Sequence, residues 1–322
     1  MRNLARPLLA LLCLFPALLA GCGSSGEANS RPAPSAAEFP SAKGETITQL
    51  LQGSGAKKAK VVIAPAAQAF EVGENRYPFG VFTLGNEQVE GADVALYFAR
   101  DEKSGPVIGP LPAQETSLEV KPAYRAAGED PDQAKNVYVV PKVDFSKKGP
   151  WVAVAMLKGK GGLEASRVPS PVVGHNSVPQ VGEKAPLIHT PTAADVGGDL
   201  SKIDTRVPHD QMHEVDYADV YGTEPIVLVF ATPALCQSRV CGPVVDVAQQ
   251  VADEYKGKAA FIHMEVYNDN EISKGIRPQL EAFNLETEPW TFLIDRNGVI
   301  RDRIEGAYGV PELEQAMGTI VP

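Results

Sequence analysis

The sequence is poor in the residues that carry most metal and redox chemistry, and it has no excess of positive charge. Its 322 residues include 4 cysteines, 5 histidines, 5 methionines and 2 tryptophans. The formal net charge is -10, from 30 basic and 40 acidic side chains. Such an acidic chain argues against binding nucleic acid or an anionic membrane surface through its own charge. No cofactor is expected.

The first 22 residues have the pattern of an export signal. Arg2 and Arg6 form its basic start, and Leu8 to Leu19 form an apolar run too short for a typical spanning helix. The run ends at Leu19-Ala20-Gly21-Cys22, which resembles the bacterial lipobox, where the signal is cut before an acylated cysteine. This implies an exported lipoprotein anchored to the outer face of the cell membrane. An ordinary signal peptide with a chance cysteine is the alternative.

Cysteine usage leaves one pair for redox chemistry. Cys13 leaves with the signal and Cys22 carries the lipid, so Cys236 and Cys241 remain. In an oxidising compartment these two form a disulfide unless something reduces them. The apolar run 226–230 before them predicts a buried strand, and apolar residues at helical spacing follow them. The pair therefore lies on a strand-to-helix turn, where backbone N–H groups and the helix dipole stabilise a thiolate.

Composition and patterning divide the chain into four segments. After the signal (1–22), residues 23–58 are rich in Gly, Ser, Ala and Pro, which predicts a flexible tether. Residues 59–173 predict an all-β domain, and residues 174–322 alternate strands and helices. The candidate strands of the all-β domain are 61–64, 79–84, 92–99, 118–121, 137–140 and 151–157. The predicted fold class is α+β overall, with a β-sandwich followed by an α/β domain.

One segment of the all-β domain resembles a known module. Phe145, Gly149 and Trp151 stand in the order of the "F...GxW" segment of periplasmic immunoglobulin-like modules. The resemblance covers one hairpin and implies an immunoglobulin-like β-sandwich. We expect a spacer, or a docking module for a protein partner. No cluster of His, Cys or Met lies in this segment, so a copper site there is not expected.

The last segment resembles thioredoxin-like redox proteins. Val181 to Pro186 is similar to the "VGxxAP" segment that opens extracytoplasmic thioredoxin-like proteins and peroxiredoxins. Glu288 to Gly298 is similar to the "PTTFLIDxxG" segment of TlpA- and ResA-type thiol-disulfide oxidoreductases. The resemblance implies that Pro289 is cis and faces the cysteines, with Glu288 and Trp290 beside it at a surface for partner thiols. The strands implied are 226–230, 260–266, 291–295 and 299–304, and the helices are 242–256, 278–283 and 310–317.

The cysteine spacing departs from that family, which has Cys-x-x-Cys against Cys-x4-Cys here. Cys241-Gly-Pro243 copies the start of thioredoxin's Cys-Gly-Pro-Cys, whereas Thr232-Pro233 with both cysteines resembles the "TPxCxxxxCG" segment of bacterioferritin-comigratory peroxiredoxins. Five helical residues rise about 7.5 Å, too far for a disulfide. The pair therefore closes freely if the helix starts near Gly242, but only after its first turn melts if it starts near Ser238. Which cysteine attacks stays open.

Neighbouring side chains give further candidates. Arg239, between the cysteines, either lowers a thiol pKa, binds a partner or is simply solvated. Glu265 and Asp246 are candidate proton acceptors. Copper proteins of the Sco type use two cysteines and a distant histidine in a thioredoxin fold. That resemblance implies a metal site formed by the cysteine pair and His263, with His213 as the other candidate histidine.

The leading hypothesis is a membrane-tethered, extracytoplasmic thiol-disulfide oxidoreductase. One cysteine attacks a partner and the other resolves the mixed disulfide. The expected partners are protein or small-molecule thiols and disulfides. The alternatives are a thiol peroxidase, in which Cys236 attacks peroxide and Cys241 resolves the sulfenic acid, a Sco-like copper protein, and an interaction module with a structural disulfide.

Overall fold

A computed structural model describes residues 30–127, 133–236 and 238–321. The export signal, Cys22 and the first residues of the predicted tether lie outside the described residues. Within these three ranges, no helix is both long and apolar enough to cross a membrane. The described chain is a mixed α and β structure that is rich in sheet and has few helices.

Two β-sheets share one hydrophobic core in the first half of the described chain. The strands of this half are β1 (Lys57–Lys58), β2 (Val61–Pro65), β3 (Phe70–Glu71), β4 (Gly73–Thr83), β5 (Val94–Ala99), β6 (Ile108–Pro112), β7 (Gln114–Ser117), β8 (Asn136–Phe145), β9 (Gly149–Pro150), β10 (Val152–Gly159), β11 (Gly162–Val168) and β12 (Val172–Gly174). One sheet has the order β1-β11-β10-β5-β6, the other β2-β4-β8-β7, and a small third sheet β3-β12-β9. Because inward residues of both large sheets form a single core, this half is a β-sandwich. Its immunoglobulin-like relationship stays a prediction.

Strand β5 is covered on both faces, so all six of its side chains are buried. Leu96 and Phe98 belong to the core between the sheets. Tyr97, on the opposite face, belongs to a second core with Ile47 and Leu50 of helix α1 (Ile47–Ser54). Residues 47–54 thus form a packed helix within the segment, 23–58, that was predicted as a flexible tether. A helix this short is marginal alone, but packing on β5 gives it a buried face.

The predicted strand 118–121 is wrong. Leu118 and Val120 are buried in a core that they share with helix α3 (Cys241–Glu254), in the second half of the chain. The backbone N–H of Lys121 donates to Oε1 of Gln250 on that helix, at 2.9 Å. The apolar alternation in this segment therefore comes from a docking surface for α3 and not from strand pairing.

The second half has a four-stranded sheet with the order β14-β13-β15-β16. Its elements are α2 (Tyr217–Val220), β13 (Ile226–Phe230), α3, β14 (Ala260–Met264), α4 (Pro278–Ala282), β15 (Trp290–Ile294), β16 (Ile300–Glu305) and α5 (Val310–Met317). Strands β13 and β14 are parallel and are joined through α3, whereas β15 is antiparallel to both β13 and β16. Every predicted strand and helix of this half occurs within two residues of its expected bounds. Strands β13 and β15 are wholly buried because separate cores cover the two faces of the sheet.

The two halves contact each other closely. The guanidinium of Arg76 on β4 pairs with Glu312 on α5, with Nε 2.6 Å from Oε1. At Gly306, after β16, the backbones approach so closely that a Cβ would overlap the carbonyl oxygen of Ala66. The position has φ +80°, which also favours glycine. The boundary predicted near residue 174 therefore separates two segments that are packed together.

Candidate functional site

A disulfide joins Cys236 to Cys241, whose Cα atoms are 6.0 Å apart. Strand β13 ends at Phe230, a loop follows, and Cys241 is the first residue of α3. Cys236 therefore lies in the loop and reaches the helix without unwinding it. Of the two geometries that the spacing allowed, this is the one in which the helix starts beside Gly242. Pro243 fits the first turn because its missing N–H would have no partner inside the helix.

The two cysteines differ in exposure. Cys241 is completely buried in the core between α3 and the sheet, with 0% relative exposure. Cys236 is half-buried, and its Sγ lies 3.2 Å from Oγ of Ser238. The N-cap residue Val240 provides no side-chain hydrogen bond to the N-terminal N–H groups of α3. These groups and the helix dipole are placed to stabilise negative charge on Cys241.

Glu288 brings a carboxyl group to the disulfide. One of its oxygens and the two sulfur atoms all lie within 4.8 Å of one another. Burial and, to a smaller extent, the charge of Glu265 raise the pKa of Glu288 to about 7. A hydrogen bond from the backbone N–H of Thr232 opposes this rise. Its Oε2 atom is buried and has no hydrogen-bond partner among the described residues. The site thus contains an acid that changes charge near neutral pH.

Two of the residues expected at the partner surface, Pro289 and Trp290, directly follow Glu288. The peptide between Glu288 and Pro289 is cis, as the resemblance implied. The carbonyl of Pro289 already accepts the backbone N–H of Gly306 at 2.9 Å, so it is not offered to a partner. Trp290 is only 3% exposed and stacks on Phe292. Its place in a doubly covered strand makes Trp290 a core residue, and its expected partner-binding role stays a prediction.

Arg239 lies on the rim of the site. It has a left-handed backbone conformation, with φ 63°, and its carbonyl accepts the backbone N–H of Ala134 at 3.0 Å. Together with Ser238 and Val240 it lines a cavity of about 460 Å³ that reaches strands β2 and β4 of the sandwich. The loop between the cysteines is thus partly positioned by the first half of the chain.

His263 does not join the cysteine pair. Within the described ranges it belongs to a separate buried cluster with Asp204, Asp210 and His213. Its Nδ1 donates to Oδ2 of Asp210 at 2.7 Å and its Nε2 donates to the carbonyl of Ala231 at 3.0 Å. Burial opposes the charge on His263, but the carboxylates of Asp210 and Asp204 raise its pKa to about 10. The copper site expected from the cysteines and His263 is therefore not formed, because the histidine serves as a cation for two buried acids.

The two acids proposed as proton acceptors also have other partners. Asp246 forms a buried ion pair with Arg206, with its Oδ1 2.7 Å from Nε. Oε1 of Glu265 accepts hydrogen bonds from the N–H and the hydroxyl of Thr205, each at 2.7 Å. Glu265 acts on the site through its charge, which raises the pKa of Glu288. The sequence pointed to Glu288 only as a partner-binding residue. The signal for an acid was its position directly before the proline expected to face the cysteines.

Comparisons with known proteins add little to this geometry. No protein-family model matches the chain, and no curated protein matches it. Among solved structures, a thiol:disulfide interchange protein DsbE from Chlorobium tepidum is similar, at 18% identity and a TM-score of 0.32. The similarity covers 44% of this chain and 98% of that chain. At this identity and score it carries no weight for the reaction.

Proposed function

We propose that the chain is a thiol-disulfide oxidoreductase that uses Cys236 and Cys241. The observation that carries the proposal is a disulfide between a half-buried cysteine in a loop and a completely buried cysteine at the start of a helix. A purely structural disulfide needs no accessible sulfur. Exchange requires one sulfur that a partner reaches and a second that is stabilised as the leaving thiolate.

The reaction follows from this difference in exposure. A partner thiolate attacks Sγ of Cys236, the bond to Cys241 breaks, and Cys241 leaves as a thiolate beside the N-terminus of α3. A second partner thiolate then attacks the partner's sulfur in the mixed disulfide and releases Cys236. Two partner thiols have been oxidised to a disulfide, and the protein pair has been reduced. The reverse sequence reduces a partner disulfide, and both directions use Cys236 for the mixed disulfide.

Trapping the mixed disulfide tests this proposal. Cys241→Ser removes the resolving thiol, so we expect it to accumulate a mixed disulfide through Cys236 with a cysteine-containing peptide disulfide. Cys236→Ser keeps only the buried thiol and should accumulate none. Intact-mass measurement after acid quenching reads both results. Equal trapping by the two variants, or none by either under conditions where a free thiol control reacts, would show that the site is not an exchange site.

We also propose that the chain is exported and held at the outer face of the membrane through an acylated Cys22. The support is the lipobox-like sequence Leu19 to Cys22 alone. Labelling cells with a tagged fatty acid tests this, because the wild-type chain should carry the label and Cys22→Ala should not. Label in both chains would place the acyl group elsewhere.

A further inference from the structure

Opening the disulfide leaves a proton to be accounted for at a buried position. Cys241 leaves as a thiolate although its side chain has no access to solvent. A buried charge is costly unless it is paired or neutralised. The helix N-terminus lowers this cost, but a proton donor next to the sulfur removes the charge altogether.

We infer that Glu288 is the acid and base of this site, giving a proton to Sγ of Cys241 when the disulfide opens and taking it back when the disulfide closes. This inference rests on the proposed exchange reaction and adds a catalytic residue to it. In the opening step, the sulfur–sulfur electron pair goes to Cys241 and the Glu288 proton follows it, so the products are a thiol and a carboxylate. Closing the disulfide reverses each transfer.

Distance and hydrogen bonding single out Glu288. In the part of the chain that the structure describes, it is the one carboxyl group with an oxygen within 4.8 Å of both sulfur atoms. That separation allows transfer through one water molecule. Its Oε2 is buried with no partner in the part of the chain that the structure describes, and an unsatisfied buried oxygen is costly unless the site uses it.

The groups around Glu288 keep its pKa near neutral pH. The carboxylate of Glu265 faces it and favours the protonated form, whereas the Thr232 N–H favours the carboxylate. The phenol of Tyr267 also faces it; burial raises the pKa of that phenol, and the Glu288 charge raises it further. The guanidinium of Arg277 interacts with the charge of Glu265. A group that is half protonated near pH 7 can serve as donor in one direction and acceptor in the other.

The test is the pH dependence of disulfide opening in a single turnover. Oxidised protein is mixed with excess dithiothreitol, and the rate is divided by the concentration of the attacking thiolate at each pH. For the wild type we expect this rate to fall with an apparent pKa near 7, by about tenfold for each pH unit above it. In Glu288→Gln the fall should vanish, and the rate below pH 7 should drop by roughly 100-fold.

Two variants keep the test decisive. Glu286→Gln, which changes an exposed acid two residues away, should retain the wild-type profile. Glu265→Gln should move the fall to lower pH because the charge that raises the Glu288 pKa is gone, and this result is available even if Glu288→Gln does not fold. Infrared difference spectra of reduction provide a readout independent of rate: a protonated-carboxyl band should disappear on reduction and be missing in Glu288→Gln.

The outcomes separate the inference from the function on which it rests. If the wild type does not react with thiols at any pH, the proposed exchange reaction fails. If it reacts but Glu288→Gln has the same profile and the same infrared spectrum, exchange stands and the role of Glu288 is overturned.

Discussion

The two halves of the molecule bury different kinds of side chain. The sandwich core is aromatic, with Phe98 in contact with both Tyr77 and Phe145. Among its described residues the buried side chain with a carboxyl or basic group is Glu115, which accepts N–H groups from Gly91 and from the Asn136 amide. The second half buries many more, namely Asp204, Arg206, Asp210, His213, Asp246, His263, Glu265 and Asp295.

The buried acids of the two halves also differ in how completely they are hydrogen-bonded. Glu115 is fully hydrogen-bonded and so contributes to a single packed arrangement. In the second half, Glu265 and Glu288 each have an oxygen with no partner within residues 30–127, 133–236 and 238–321, and both belong to the surroundings of the disulfide. We therefore interpret the sandwich core as stabilised mainly by packing, whereas in the second half Glu265 and Glu288 are the buried acids that the proposed reaction would use.

The largest effect is expected from the sandwich core. Phe98→Ala should lower the free energy of unfolding by about 3 to 5 kcal/mol, because it empties space between two aromatic neighbours. Urea unfolding measures the loss, and Val62→Ala, at a position 48% exposed, serves as the control. The folded fraction should still react at Cys236. Loss of exchange in protein that remains folded would contradict the interpretation that the sandwich only supports the fold and the second half carries the proposed reaction.

A slightly smaller loss is expected from breaking a buried ion pair in the second half. Arg206→Met removes the cation that pairs with the buried Asp246 and should cost about 3 kcal/mol. The matched control is Lys142→Met, which removes an exposed pair with Glu74 and should cost at most about 1 kcal/mol. Thermal unfolding of both variants makes the comparison. Equal losses would mean that the buried charges of this half are not under greater constraint than surface ones.

The smallest effect concerns the pH dependence of stability. The pKa of Glu288 is raised from 4.5 to about 7, so the stability it contributes is complete below pH 4.5 and is lost as pH rises through 7. Glu288→Gln should therefore unfold with less pH dependence and be more stable than wild type above pH 7, by about 1 to 2 kcal/mol after allowance for partial exposure. Unfolding of the oxidised proteins across this range measures it. Parallel curves would show that Glu288 has an ordinary pKa.

Much of the second half was predictable from sequence because its signals are local. The apolar run of β13 predicts a strand, the spacing of apolar residues in α3 predicts a helix, and Asn297-Gly298 predicts a tight turn between two strands. The role of Glu288 was not predictable, since its burial and its distance from the cysteines depend on how β15 pairs with β13. Glu265 follows the last residue of β14, and its charge raises the pKa of Glu288.

The errors in the first half have the same origin. Residues 47–54 and 118–121 have patterns too short to identify their partners. Ile47 packs on β5, and Leu118 packs on α3. In both places a contact distant in sequence decides the structure, whereas local composition indicated a tether or a strand.

The reduction potential of the Cys236–Cys241 pair tests the central claim most directly. The purified protein is equilibrated with glutathione mixtures of known potential, quenched with an alkylating reagent, and the reduced fraction is measured by mass. Because one sulfur is accessible and the other is placed for stabilisation as a thiolate, we predict a potential less reducing than about -300 mV, so that glutathione opens the bond. A pair that stays oxidised at every mixture, with a potential below about -300 mV, would be a structural disulfide and would contradict the account.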